Sequence, residues 1–375
     1  MLMKNKHQKI QRIDAIPFFL FLVLPLLGIL IAGKPLSQYL EFPPLTQHVA
    51  HAGFSWGVFA FFCAFDLLFA GPVAFHLWRC RFQRPPESFH RFPWWGWLGV
   101  AITFGSWVLA WTRFEFFEPL QAFTFSPLWF GYILCVNALA YRRTGSCMLT
   151  HQRFYFILLF LVSAAFWWFF EYLNRFVQNW YYVGADDLSP FKYFVFATLP
   201  FSTVLPAVLG TYDLLNSAMA PPPATRFYGY LPVKSPPILP WTILLSACLG
   251  LAGIGIWPDL LFPLLWLSPL LILGAWQAIR REETILFNIT PEKWHRICLL
   301  AVAALICGFF WELWNFHSYA KWIYTVPFVN RFHLFEMPLL GYAGYLPFGI
   351  ECALIGDLIK TFAEKRKTSE GIAHG

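Results

Sequence analysis

The sequence predicts an all-α fold: a polytopic integral membrane protein of about ten transmembrane helices in five hairpins, with parallel internal repeats. Three observations carry this. Of the 375 residues, 58% are hydrophobic and 13% charged, whereas a soluble domain carries about 25% charged residues. The apolar residues gather in runs near the roughly 20 residues that a helix needs to cross a bilayer. The basic residues sit in short clusters between those runs and favour alternate gaps, the pattern of cytoplasmic loops. So few charges could not cover a soluble surface of this size. Clusters of this kind also explain the net charge of +7 without a nucleic-acid partner.

Taken in order, a basic polar segment, Met1 to Arg12, precedes an apolar run from Ile16 to Ala32. No small-x-small cleavage site closes that run before Lys34, so a retained first helix is expected. Ten segments follow the membrane-span criterion: 16–32, 54–78, 94–112, 124–141, 154–173, 192–215, 238–257, 260–279, 297–314 and 336–358. Of the 27 Lys and Arg, only Lys34, Arg113, Arg175, Lys192, Lys321 and Arg331 fall in the outer gaps. Both termini are therefore expected in the cytoplasm, and the protein in a bacterial-type plasma (inner) membrane. Residues 216–237, with Pro221-Pro222-Pro223 and Pro236-Pro237, read as a stiff cytoplasmic connector between segments one to six (1–215) and seven to ten (238–359). Residues 360–375 form a basic tail. The aromatic outer loops suit the headgroup layer. The eight cysteines include no CxxC pair, and none is expected in a disulfide.

An internal repeat links segments five and six to segments nine and ten. Phe170-Glu171 matches Trp311-Glu312, Asn174 matches Asn315, and Pro200 matches Pro338. Trp180 and Tyr182 match Trp322 and Tyr324 with one inserted residue. Thirteen residues after each proline stands a carboxylate, Asp213 or Glu351. Aromatic matches are common in a chain that is 21% aromatic, but acidic matches are not, because charges are scarce. Segments three and four, with Trp111, Arg113, Glu115, Glu118 and Pro127, read as a weaker third copy. Units that start and end on one side are related by an axis along the membrane normal.

Rare intramembrane acids are the candidate chemistry. Glu171 and Glu312 end segments five and nine, each with an asparagine three residues later on the same face. Glu171 also has Arg175 at i+4, a possible ion pair. Such groups can simply end a helix in the headgroup zone, or they can converge on an outward-opening cavity and exchange protons. Asp66 and Glu351 stand deeper, about twelve and fifteen residues into their segments. They are expected to be neutral or to accept hydrogen bonds from neighbours such as Asn137 or His76. Glu171, Glu312, Glu351 and Asp66 are thus the candidate catalytic residues. Asn174, Asn315, Trp180, Trp311, Trp322, Tyr324 and Glu336 are the candidate substrate-binding residues. Ala101-xxx-Gly105 and Ser246-xxx-Gly250 allow close helix approach. The histidines show no HxxxH or HExxH spacing, and no Walker A, GxGxxG, GxSxG or CxxCH run occurs. No metal and no cofactor is expected.

Three function classes fit this pattern. The first is a protein that binds or modifies a lipid- or isoprenoid-type molecule, with aromatic faces to stabilise a carbocation and a glutamic acid to supply a proton. The second is a proton-coupled transporter, for which Gly341, Gly344 and Gly349 offer the only unwound-helix candidate. The third is an accessory or scaffold subunit whose outer loops meet a partner. The expected partner in the first class is a membrane lipid or apolar small molecule, with no nucleic acid.

Overall fold

The computed structural model describes residues 14–44, 46–80, 89–184, 188–221 and 235–373, with side chains to residue 366. The basic N-terminal tail, the middle of the 79–91 cluster, most of the Pro-rich connector and the end of the basic tail lie outside the described residues. The described chain is mostly helical. Its main helices are α1 (Ala15–Ile31), α2 (Trp56–Cys80), α3 (Trp94–Trp111), α4 (Phe125–Thr144), α5 (Arg153–Val177), α6 (Pro190–Phe201), α7 (Val204–Ala218), α8 (Leu239–Ile256), α9 (Leu264–Ile279), α10 (Pro291–Phe316) and α11 (Tyr345–Ala373). Four short strands lie in the loops: β1 (Trp180–Val183), β2 (Lys321–Tyr324), β3 (His333–Leu334) and β4 (Met337–Pro338).

Among the described residues, six helical stretches are long and apolar enough to cross a membrane: Trp56–Cys80, Arg153–Val177, Pro190–Ala218, Leu239–Ile256, Pro291–Phe316 and Leu339–Arg366. The 3-10 helix Glu115–Phe123 and α4 would make a seventh if they formed one span, but they bend by 68°. α1 and α9 are apolar and shorter, at 17 and 16 residues. The polarity is inverted relative to a soluble protein. Phe61, Leu67, Phe104, Leu161 and Leu249 are exposed, while Glu171, Asn174, Glu312 and Asn315 are wholly buried. Lipid as solvent accounts for both halves of that inversion.

Every segment expected to be helical contains helix, but several are broken where proline removes a backbone donor. Segment six is two helices, α6 and α7, parted at Ser202–Thr203 between Pro200 and Pro206. Segment eight starts with a single turn, Pro258–Leu261, before α9 begins. Segment ten is not helical from residue 336. Its first residues form β4 and a 3-10 stretch, Leu339–Gly344, and the α-helix starts only at Tyr345. Phe335 at φ +58° closes the β3–β4 turn, and Pro338, Gly341 and Gly344 weaken helix formation beyond it. Glu115 and Glu118 are exposed on their 3-10 helix, so the third unit brings no buried acid.

Polar contacts join the helices in two sets. Asp14 pairs with Arg280, Arg296 Nη2 with Asp357 Oδ1 at 2.6 Å, and Arg143 reaches the Ser217 carbonyl. These join the ends of α1 and α9, the start of α10 and the middle of α11, and the ends of α4 and α7. In the other set, Lys34 Nζ donates to the Gly255 carbonyl, His51 Nδ1 lies 2.7 Å from Asp259 Oδ1, and Arg113 donates to the His317 carbonyl. These join the ends of α1 and α8, the loop before α2 and the turn before α9, and α3 and α10. α3 and α4 approach at Gly99 and Gly131, where a Cβ on either would sit 2.9 Å from the other's carbonyl oxygen. Gly250 likewise meets Leu264 and Ser268 of α9, whereas a Cβ on Gly105 would enter open space. The close contacts of α3 are thus at Gly96, beside Ala138, and at Gly99, and not at the Ala101-xxx-Gly105 pair. The two sequence halves interleave: α1 packs on α8, and β1 pairs with β2.

Candidate functional site: two glutamate clusters behind an aromatic cavity

The site is built on the pairing of two loops. β1 and β2 are antiparallel, with Trp180 opposite Tyr324, Tyr181 opposite Ile323 and Tyr182 opposite Trp322. The Thr325 N–H donates to the Asn179 carbonyl at 2.8 Å and extends the ladder. In an antiparallel ladder, alternate residues turn their backbone groups away from the partner strand. Trp180 and Trp322 are such residues, and a buried asparagine meets each. Asn174 Nδ2 donates to the Trp180 carbonyl at 2.8 Å, and Asn174 Oδ1 accepts from the Asn179 and Trp180 N–H groups. Asn315 Nδ2 donates to the Trp322 carbonyl at 2.8 Å, and Asn315 Oδ1 accepts from the Trp322 N–H at 2.9 Å. The two asparagines therefore spend their amide groups on holding the loops, and neither is among the residues that line the cavity described below.

One turn earlier on each helix, the glutamates receive donors from the same loops. Glu171 Oε1 accepts from Trp167 Nε1 at 3.0 Å, Trp180 Nε1 at 3.2 Å and the Tyr182 hydroxyl at 2.5 Å. Glu312 Oε1 accepts from the Tyr324 and Tyr345 hydroxyls, both at 2.8 Å. Burial, and after it the adjacent glutamate, hold the Tyr182 and Tyr324 phenols well above the usual tyrosine range, so both keep their protons and act as donors. In each glutamate the second oxygen, Oε2, is buried with no hydrogen-bond partner. Each carboxyl group thus has one oxygen saturated by ring donors and one unspent.

The clusters differ by a compensating exchange. Trp167 lies four residues before Glu171, and Gly308 lies four residues before Glu312. A Cβ on Gly308 would sit 2.3 Å from the Tyr345 ring. The glycine makes the space in which Tyr345 takes the donor role that Trp167 has in the first cluster. Counted from Pro200 and Pro338, the first-cluster counterpart of Tyr345 is Ala207, which is small and buried.

The ring donors form one wall of a cavity of about 820 Å³. Trp167, Trp180, Tyr182, Trp322, Tyr324 and Tyr345 all line it, with Trp266, Trp311 and Phe348 between the two groups. The rings are in contact, with centroids 5.6 Å apart for Trp180–Trp266, 5.9 Å for Trp311–Tyr345 and 6.4 Å for Trp167–Trp311. One face of α2 also lines the cavity: Phe62, Phe65, Asp66, Phe69 and Val73. The lining is overwhelmingly apolar, with Asp66 its one acidic residue among those described.

The acids expected to converge are therefore arranged in layers. Asp66 faces the cavity, and Glu171 and Glu312 stand directly behind its aromatic wall. Glu351 lies elsewhere in the core of α11, outside the lining, with Oε2 buried and without a hydrogen bond. The anticipated partners of Asp66 and Glu351 are engaged elsewhere. Asn137 bonds the Ile133 carbonyl and the Leu149 N–H. His76 contacts His295 and lies ten residues, about 15 Å of helical rise, beyond Asp66 on α2. The i+4 spacing of Glu171 and Arg175 does not yield a hydrogen bond between them: Arg175 turns to the Pro43 carbonyl while Glu171 takes the ring donors. Of the anticipated binding residues, Trp180, Trp311, Trp322 and Tyr324 line the cavity. Glu336 instead pairs with Lys321 beside β2.

Sequence reasoning missed Trp167, Tyr345, Trp266 and Phe348. Trp167 carried a signal, since it sits one helical turn before Glu171. Tyr345 reaches Glu312 from another helix, so no spacing announces it. A second missed group is His76, Cys80 and His295, all buried and with ligand atoms within 4.8 Å of one another. Comparison with protein-family models, with curated proteins and with solved structures finds no match.

Proposed function

We propose that this chain is a multi-pass membrane protein that binds or modifies a lipid- or isoprenoid-type apolar molecule in the aromatic cavity between α2 and the helical bundle. The observation that carries the reading is the cavity itself: about 820 Å³, apolar, and backed by two glutamates whose Oε2 atoms are unspent. Its volume falls in the usual range for small-molecule sites. Aromatic faces accommodate a hydrocarbon chain and stabilise a positive charge developing on it. Glu171, relayed through the Tyr182 hydroxyl, Glu312, relayed through the Tyr324 and Tyr345 hydroxyls, and Asp66 at the cavity surface are the groups placed to give or take a proton. Trp180, Trp311, Trp322 and Tyr324 contact the bound molecule. Asn174 and Asn315 hold the loops that carry the donors, Glu336 braces β2, and Glu351 acts as a buried acid apart from the cavity.

The same reading takes the ten segments as ten crossings in five hairpins. Its support is the sorting of these contacts: Asp14–Arg280, Arg143–Ser217 and Arg296–Asp357 join helices on the basic side, whereas Lys34–Gly255 and Arg113–His317 join ends on the other. Both termini then lie in the cytoplasm of a bacterial-type cell, with the protein in the inner membrane. The hairpins α5 to α7 and α10 to α11 are parallel repeats. Its support is that Asn174 and Asn315 each bond the N–H and carbonyl of a strand tryptophan and that Tyr182 and Tyr324 each donate to their own glutamate, while the β1–β2 register places Trp180 opposite Tyr324 and Tyr182 opposite Trp322, as a two-fold axis through Tyr181 and Ile323 requires.

The test compares apolar extracts of cells expressing wild type, Glu171→Gln, Glu312→Gln or an empty vector. Wild type should change the abundance of at least one apolar species, and the variants should abolish or reverse that change. Identical extracts from all four would overturn the reading.

A further inference from the structure

We propose that His76, Cys80 and His295 form a binding site for a zinc-type divalent cation that clamps α2 to α10. His76 and Cys80 stand at i and i+4 on α2, one above the other on a single face. His295 comes from the start of α10. All three side chains are buried. His76 Nε2 lies 2.9 Å from His295 Nδ1 and 3.4 Å from Cys80 Sγ, and Cys80 Sγ lies 3.7 Å from His295 Nδ1.

Those three edges are close to one face of a metal tetrahedron. Zinc–nitrogen bonds of about 2.0–2.1 Å and a zinc–sulfur bond of about 2.3 Å place two nitrogens roughly 3.4 Å apart, and nitrogen and sulfur roughly 3.6 Å apart. Closure on an ion therefore needs the imidazoles to part by only a few tenths of an ångström. Two imidazoles and one thiolate suit a borderline cation such as Zn²⁺, not the oxygen-seeking Mg²⁺ or Ca²⁺. Three protein ligands leave one coordination position for water or a small ligand.

The packing of α2 gives the site a purpose. Of its 25 residues, only Val73, His76 and Cys80 are buried. Val73 packs against Cys298 and Ala301 of α10, with Trp294 and Leu346 around them, and this apolar shell would limit solvent access to a bound ion. α2 supplies one wall of the cavity, and its buried side chains all lie toward this end. An ion bridging α2 and α10 would fix that wall. The site is separate from the glutamate clusters, and its test does not depend on them.

Purified full-length protein in detergent is stripped with a chelator, dialysed against Zn²⁺ with excess Mg²⁺, and assayed for zinc per chain. Wild type should retain about one equivalent, as one tetrahedral site requires. Cys80→Ser and His295→Ala should each weaken Zn²⁺ binding by at least the roughly 10- to 100-fold that even outer-shell losses cost. Cys248→Ser, at a distant half-buried cysteine, should bind like wild type. Should the ligand variants misfold, Co²⁺ bound to wild type still reports the site through a thiolate-to-metal charge-transfer band. Failure of wild type to bind Zn²⁺, a Cys80→Ser variant that binds undiminished, or a Co²⁺ complex without the thiolate band would each overturn the proposal.

Discussion

Replacing Asn174 or Asn315 with alanine tests how the loops that carry the ring donors are held. Asn315 satisfies two backbone groups of one residue, the N–H and carbonyl of Trp322. Asn174 satisfies three groups, on Asn179 and Trp180. Each orphaned buried group costs about 1–3 kcal/mol. Trp322 is half-buried and recovers part of that from water, so Asn315→Ala should cost about 2–4 kcal/mol. Trp180 is buried and recovers little, so Asn174→Ala should cost more, about 3–6 kcal/mol. Because β1 and β2 pair, the double variant should deviate from additivity by at least about 0.5 kcal/mol. Equilibrium unfolding in mixed micelles, followed by tryptophan fluorescence, measures all three. Losses below about 0.5 kcal/mol, the range of an ordinary surface substitution, or a larger loss at Asn315 than at Asn174, would refute the reasoning.

Other expectations are equally open to measurement. Gly308→Ala should drive the Tyr345 ring from Glu312 and destabilise the protein by about 1–3 kcal/mol, whereas Gly308→Trp combined with Tyr345→Ala, which copies the first cluster, should recover part of the loss seen with Gly308→Trp alone; thermal unfolding decides. Gly99→Ala should destabilise by a similar amount because it meets the Gly131 backbone, while Gly105→Ala, facing open space, should be neutral or gain the helix propensity of alanine, about 0.5–1 kcal/mol. For the ten-crossing topology, cysteines at Tyr319 and Glu283 should react with membrane-impermeant maleimide from opposite faces, Tyr319→Cys from outside intact cells and Glu283→Cys only after lysis. Labelling of both from one face would exclude that topology.

The helices were legible because their solvent is lipid: a run of apolar residues with basic ends needs no tertiary information to be recognised. The breaks at Ser202–Thr203 and before Tyr345 were less legible. Proline in a membrane helix can kink it or end it, and neighbouring helices decide which. Within the site, Glu171 and Glu312 stood out because buried charge is expensive and therefore rare. Asn174 and Asn315 were visible as partners three residues on, yet their role in holding the strands required the β1–β2 register. Asp66 was found, but its surroundings were not, since its cavity is assembled from helices distant in sequence. The His76–Cys80 spacing was present as one helical turn, but its third member is 215 residues away.

The most direct test of the cavity is native mass spectrometry of the protein released from mild detergent. Gly344 lines the cavity, and a Cβ there would meet nothing within 4 Å, so Gly344→Leu fills space without displacing backbone. Wild type is predicted to carry an apolar adduct of defined mass, and Gly344→Leu to lose it while remaining folded. A wild-type protein without an adduct, or an adduct held equally by both proteins, would contradict a ligand in this cavity.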